Sequence, residues 1–249
     1  MEFGFGSGLL TATRNDGNIT GPQTPERFGA LQDVSIEFNG DIKELFSTQQ
    51  YPIDVARGKT KIMGKAKVAE IKGAMYNSIF FGQTLATGGV KFAYNESLSQ
   101  ASSISFTYTV ANSASTPLTD QGVFYVANGN QLTYVTTAPT IGQYEFAPTT
   151  GVYTFGTEPQ GTGLYVNYLY TVTTGYNIVI GNPFMGTTPQ FKMVLFQPFE
   201  GNQVVLILNK CVSSRLTFPT RIDDYVIQDL DFSAFADAGG QVGQWNTSQ

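Results

Sequence analysis

The chain has 249 residues, 41% of them hydrophobic, which allows a sizeable core in one large β domain or two small ones. Only 13% are charged, about half the usual share, a composition suited to a surface that faces partner subunits rather than water. The absence of histidine excludes Ser-His-Asp and Cys-His sites and histidine metal ligation, the lone Cys211 excludes a disulfide within the chain or a zinc cluster, and the net charge of −5 disfavours general nucleic-acid binding.

With 19 Phe and 13 Tyr beside many Thr, Val and Gly, the composition favours strands and turns. Residues 1–30, rich in Gly, Asn, Thr and Pro, are predicted as an extended N-terminal arm, with Phe3, Phe5, Leu9, Leu10 and Phe28 as its docking points. The first ten residues lack a basic start and a long apolar run, so no signal peptide is expected. No stretch reaches the roughly 20 apolar residues of a membrane span.

Residues 34–42 alternate with a period of two, the mark of a half-buried strand. Val34, Ile36, Phe38 and Ile42 take one face; Ser35, Glu37, Asn39 and Asp41 take the other. Tyr51-Pro52 marks a break. Residues 59–71 form a second long strand, with Ile62, Ala66 and Val68 on one face and Lys61, Lys65 and Lys67 on the other. Residues 73–82, bracketed by Gly73 and Gly82, are the best helix candidate, with a buried strand as the alternative.

Short strands are predicted at 104–111, 122–127, 131–136, 143–146, 151–155, 163–173 and 176–181, separated by Gly, Pro and Asn as in a sandwich or barrel. Strands at 190–196 and 203–212 flank a hairpin turn at 199–202, and 225–232 is the last strand. Residues 237–249 are a Gly-rich tail carrying the only tryptophan, Trp245. Cys211 sits in an apolar stretch and reads as a buried, inert thiol.

Few motifs carry chemistry. Gly58-Lys59-Thr60 resembles the end of a phosphate loop, but Ile53 stands where the first glycine belongs and a strand follows rather than a helix. Gly4, Gly6 and Gly8 miss the dinucleotide spacing. Three Asn-x-Ser/Thr triplets, at Asn18, Asn95 and Asn246, read as chance matches. Asp223, Asp224, Asp229, Asp231 and Asp237 form an acidic run that could serve glycoside hydrolysis or calcium, but a solvated or partner-facing edge fits better. Arg57, Lys59, Lys61, Lys65, Lys67 and Lys72 form the opposite, basic run. It reads as a nucleic-acid patch, as an exposed face that discourages edge pairing, or as the complement of the acidic run within or between subunits. The residues considered for a charge contact between subunits are Lys61, Lys65, Lys67, Asp229 and Asp231.

The segments VSIEFNGDIKELF (34–46), YPIDVARGKTKIMGKAKVAEIKG (51–73) and AMYNSIFFG (74–82) resemble the N-terminal part of the major tail tube proteins of long-tailed bacteriophages. FKMVLF (191–196), VVLILNKCVSSRLTF (204–218) and DLDFSAFADAGGQVGQW (229–245) resemble the C-terminal part of the same family, and GVYTF (151–155) gives the middle a looser likeness. The resemblance implies an all-β sandwich or partial barrel with one short flanking helix and an extended hairpin. It implies that the hairpin joins those of neighbours in a hexameric ring, and that rings stack into a tube, alongside other tail proteins, through which viral DNA passes without sequence-specific binding. The lumen candidates are then Ser35, Glu37, Asn39 and Asp41.

The expected organisation is an arm at 1–30, a β domain at 31–236 elaborated at 98–175, and a tail at 237–249. The expectation is a self-assembling structural protein of the virion tail, present in the host cytoplasm during assembly, neither enzyme nor membrane protein, with no cofactor. The alternatives are a sugar- or receptor-binding β module of a virion and a carboxylate-based glycosidase.

Overall fold

The computed structural model describes residues 6–17, 23–70, 72–99, 106–159, 161–199, 201–220 and 222–248. It is all-β, in the sandwich class, with several sheets and one short helix. The chain divides into two compact units: 1–85 with 178–249, and 86–177.

The first unit is built on an eight-stranded sheet in the order β2 (Glu26–Arg27), β1 (Leu9–Arg14), β12 (Phe191–Phe199), β13 (Asn202–Thr217), β14 (Gln228–Phe235), β4 (Pro52–Val68), β3 (Leu31–Phe46). The eighth strand, β15 (Gly243–Ser248), pairs with the first half of β13, while β14 pairs with its second half. All pairings are antiparallel, and alternation decides what each strand buries. Leu10 and Ala12 of β1, Phe191 and Met193 of β12, Leu206, Leu208 and Cys211 of β13, Leu230 and Phe232 of β14, and Ala66 and Val68 of β4 form one core.

The core is closed by a helix, α1 (Gly73–Tyr76), which runs on as a π-helical turn through Phe81. It buries Met75, Tyr76 and Ile79 and packs against β1 and β13. Gly82 ends it in the left-handed conformation (φ 64°), as a C-terminal glycine commonly does. Asn77 fixes the exit: its Nδ2 donates to the Gln83 carbonyl and its Oδ1 accepts the Gln83 N–H. The helix expected at 73–82 is therefore present. Cys211 is buried, and burial pushes its thiol up to about 12.

The N-terminal stretch docks on the sheet of its own chain over its described part. Leu9–Arg14 pairs with β12 across six residues, and Leu10, Ala12 and Phe28 are core residues. The reason is apolar alternation in LLTATR, which offers a buried face to an open sheet edge. Residues 1–5 and 18–22 lie outside the described residues. The tail likewise supplies a strand, β15, and Trp245 stands opposite Leu206.

The second unit is a sandwich of two small sheets. One has the order β5 (Leu85–Ser99), β11 (Gly163–Ile178), β7 (Thr119–Tyr125); the other β6 (Phe106–Thr109), β10 (Val152–Phe155), β9 (Gln143–Ala147), β8 (Thr133–Tyr134). Val123, Leu164, Val166 and Tyr168 of the first face Tyr144, Phe146, Tyr153 and Phe155 of the second. The strands expected at 163–173 and 176–181 are one strand to Ile178, which passes through Gly175 at φ 89°. Buried tyrosines anchor on carboxylates: Tyr144 and Tyr153 donate to Asp120 at 2.5 and 2.7 Å, and Tyr108 and Tyr168 donate to Glu96 at 2.8 and 2.5 Å. Tyr125 donates to the buried Glu158 at 3.0 Å. Burial, then these hydrogen bonds, push the Tyr108 and Tyr125 hydroxyls up to about 12.

Candidate functional site: the β3–β4 ribbon

The strands β3 and β4 are the two longest neighbours in the first unit, 16 and 17 residues. Their proximal halves belong to the sheet. There Val34, Ile36 and Phe38 stand opposite Ala66, Gly64 and Ile62, and β14 covers β4 from Val68 to Ile62. Beyond Ile62 the third strand ends. The distal halves, Asn39–Phe46 and Pro52–Lys61, form a ribbon of two strands, extending roughly 25 Å at about 3.4 Å per residue. Tyr51-Pro52, expected as a break, is the end of the hairpin tip.

Burial tracks this change. On β4 buried and exposed residues alternate from Met63 to Val68, whereas 53–61 are all exposed. Phe38, Ile42, Leu45, Phe46, Ile53 and Val55 are each more than half exposed, and Tyr51 is 80% exposed. Four successive cross-strand pairs each combine an apolar and a charged side chain: Ile42 with Arg57, Lys43 with Ala56, Glu44 with Val55, and Leu45 with Asp54. The expected strand 34–42 thus buries only half its apolar face. Val34 and Ile36 join the core, while Phe38 and Ile42 do not. Phe38 instead lies 6.2 Å from the ring of Trp245, itself exposed, where the ribbon leaves the sheet.

The opposite face carries the charges. Ser35, Glu37 and Asn39 are exposed and stand opposite Lys65, Met63 and Lys61; Asp41 falls at a bulge, where the register shifts between Gly40 and Ile42. Lys65 and Lys67 also stand opposite Asp231 and Asp229 of β14. Asp231 lies 4.0 Å from Arg215 of β13, so it sits between two cations across three strands. Lys65 and Lys67 of the basic run therefore stand beside Asp231 and Asp229 of the acidic run inside one chain. Of the five residues considered for a contact between subunits, Lys61 alone lies past the end of β14. With Asp33 opposite Lys67, this face holds Asp33, Glu37, Asp229 and Asp231 against Lys61, Lys65, Lys67 and Arg215, a balance of charge rather than an acidic wall.

No family model matches this chain, and no curated protein matches it.

A cavity of about 440 Å³ elsewhere in the first unit bears on the glycosidase alternative. It is lined by Arg14, Asp16, Phe80, Phe81 and Ser214 among others, and Asp16 is the one carboxylate among its described lining residues. Asp16 is paired with Arg14 at 2.8 Å, and its Oδ1 has no hydrogen-bond partner. Two carboxylates flanking a sugar bond are not assembled there. Among the described residues no group of three or more His, Cys, Asp or Glu could hold a metal ion. Among the described residues no helix is long and apolar enough to cross a membrane.

The exposed residues at 44–55 and Trp245 were outside the sequence-based candidates. The signal for the former was present in the unbroken strand propensity of IKELF, but its apolar and charged residues do not separate onto two faces. Nothing local in the Gly-rich tail points to Phe38.

Proposed function

We propose that this chain is a structural subunit that assembles through its β3–β4 ribbon into rings and, by stacking, into a tube of the kind made by the tail tube proteins it resembles. The observation that carries the reading is the ribbon itself. An isolated two-stranded hairpin is marginal in water, and this one exposes large apolar side chains on a stretch that no third strand covers among the described residues. Its outer strand, β3, has no further strand on its other edge among the described residues. Unpaired N–H and C=O groups beside exposed Phe, Ile and Leu are a template for pairing with another chain. A ring of identical copies uses every such edge, because each copy offers one side to one neighbour and the other side to the next.

The charge-balanced outer face suits a conduit. Residues Ser35, Glu37, Asn39 and Asp41 share a face with Lys61, Lys65 and Lys67, and Lys65 and Lys67 are already opposed by Asp231 and Asp229, so a passing polyanion meets few uncompensated cations on it. In this reading the protein is not an enzyme and works in the tail of a virion. Electron microscopy of the purified full-length protein at rising concentration tests it. Rings or tubes are the expected result. A folded monomer under every condition, including in the presence of viral nucleating proteins, overturns it.

A further inference from the structure

The second unit carries a feature that tube formation does not use. Along β7 and β11, Val123 stands opposite Val166 and Leu164 opposite Tyr125 toward the core, which turns the directly opposed Phe124 and Tyr165 to the outer face. On β5, Ala93 packs on the core, so its neighbours Phe92 and Tyr94 point outward as well. Their rings lie 6.2 Å apart, tilted by 38°, and both are at least half exposed. Four aromatic rings thus share the outer face of one three-stranded sheet, where a single exposed ring is ordinary and a group is not. They line a shallow groove of about 470 Å³, within the range of small-ligand sites.

The groove is aromatic but not simply apolar. Gln121 and Asn95 line it, bringing two carboxamides, and none of its described lining residues is charged. Asn95 adopts a left-handed backbone conformation, φ 52°, which costs energy for a residue with a side chain. It is held there by the buried Asn167, whose Oδ1 accepts the Asn95 N–H at 2.8 Å and whose Nδ2 donates to the Gly122 carbonyl at 3.4 Å. A buried amide is thus committed to fixing the backbone at the groove's edge.

These features select a ligand. Without a lysine or arginine the groove offers nothing to phosphates, which argues against nucleic acid and anionic headgroups. Its amides would be stranded under a purely apolar ligand. Sugar rings match both halves: their C–H faces carry slight positive charge and stack on the negative faces of aromatic rings, while their hydroxyls exchange hydrogen bonds with carboxamides. We propose that the outer face of β5–β11–β7 binds a neutral saccharide chain, seated on Phe92 and Tyr94 and hydrogen-bonded by Asn95 and Gln121.

The test uses the full-length protein with maltohexaose, cellohexaose, chitohexaose and α-mannohexaose as probes, read by saturation-transfer NMR and calorimetry. At least one is expected to bind. The double variant Phe92→Ala/Tyr94→Ala is expected to weaken that binding by about tenfold or more, the scale of losing one or two ring contacts. Gln121→Ala, at an exposed position that cannot disturb the core, is expected to weaken it as well, and Tyr225→Ala, an exposed tyrosine in the first unit, to leave it unchanged. Silence from all four probes overturns the proposal, as does binding that survives in the double variant. If the double variant instead changes oligomer size and no probe binds, the face is a contact between copies. Because assembly is read separately, failure here leaves the tube reading standing.

Discussion

Gly64 lies under the ring of Phe232. The two stand opposite each other on β4 and β14, and a Cβ built on Gly64 would fall 2.1 Å from the ring. Phe232 is buried and approaches Phe191 edge-on at 6.5 Å. A glycine in mid-strand weakens a sheet, but here its missing side chain is the space the aromatic ring occupies.

Gly64→Ala is therefore expected to destabilise the fold by roughly 1–3 kcal/mol through overpacking. Phe232→Ala should cost about 3–5 kcal/mol through a cavity. Joined with Phe232→Leu, Gly64→Ala should cost less than the sum of the single changes, because the shorter side chain frees the space the methyl needs. Urea denaturation of the four proteins measures this, and strict additivity would refute the contact.

Replacing Ile42, Phe46, Ile53 and Val55 together with Ser should leave stability within about 1 kcal/mol, since none of the four joins the core. It should abolish association. Light scattering coupled to size exclusion, beside the same denaturation curve, separates the two effects. Tube growth by the quadruple variant would remove the ribbon from the interface.

The double variant Glu37→Lys/Asp41→Lys should fold, because both side chains are exposed, and should assemble. On the proposed tube reading it should impair genome passage, since each ring would gain cations that hold phosphates. Particles carrying it would be compared for tail formation and DNA ejection. Normal ejection would take this face off the lumen, and failure to form tails would put it at a subunit boundary.

Lys65 and Asp231 should behave as neighbours in one chain. Lys65→Glu is expected to lower stability by up to about 1 kcal/mol, and adding Asp231→Lys to recover part of that, the new lysine facing the introduced glutamate on one side and Arg215 on the other. Recovery in a dilute monomeric sample marks an intrachain pair. Recovery seen only in assembled material would mark an intersubunit one.

Alkaline pH should destabilise the second unit. The Tyr108 and Tyr125 hydroxyls ionise near 12 when folded against 10.0 for the free group, so the folded state holds its protons longer. Their contribution to stability is complete below pH 10 and is lost as pH rises from 10 to 12. Tyr144 and Tyr153, raised further by burial and by Asp120, act in the same direction. Tyrosinate absorbance should rise in step with the loss of near-ultraviolet dichroism. Ionisation of these tyrosines with the fold intact would contradict it.

Strand alternation was legible wherever one face is buried and the other wet. Residues 34–37 and 62–68 follow the expected pattern because the inward side chains, Val34, Ile36, Ile62, Ala66 and Val68, join the core of the sheet. The pattern fails beyond Ile62 because the ribbon has no inside within the monomer, so Ile42 and Arg57 can share a face. The pairing of Leu9–Arg14 with β12 was invisible for another reason: the partner lies some 180 residues away, and local periodicity carries no register over that distance. For the candidate site, the sequence offered Ser35, Glu37 and Asn39 as a polar face, and they are exposed. That Lys61 and Lys65 stand opposite Asn39 and Ser35 required the pairing itself.

The strand order has a consequence for synthesis on the ribosome. Strands β12, β13 and β14 form a meander within residues 191–235 and can close from local contacts. The hairpin β3–β4 is also local, but it emerges first, and β14, which covers its inner edge, follows about 160 residues later. At about 5–20 residues per second the nascent chain waits roughly 10–30 s with Val34, Ile36, Ala66 and Val68 uncovered. The lysines at 61, 65 and 67 flank that apolar face throughout the interval and act as gatekeepers against premature pairing before the rest of the sheet exists.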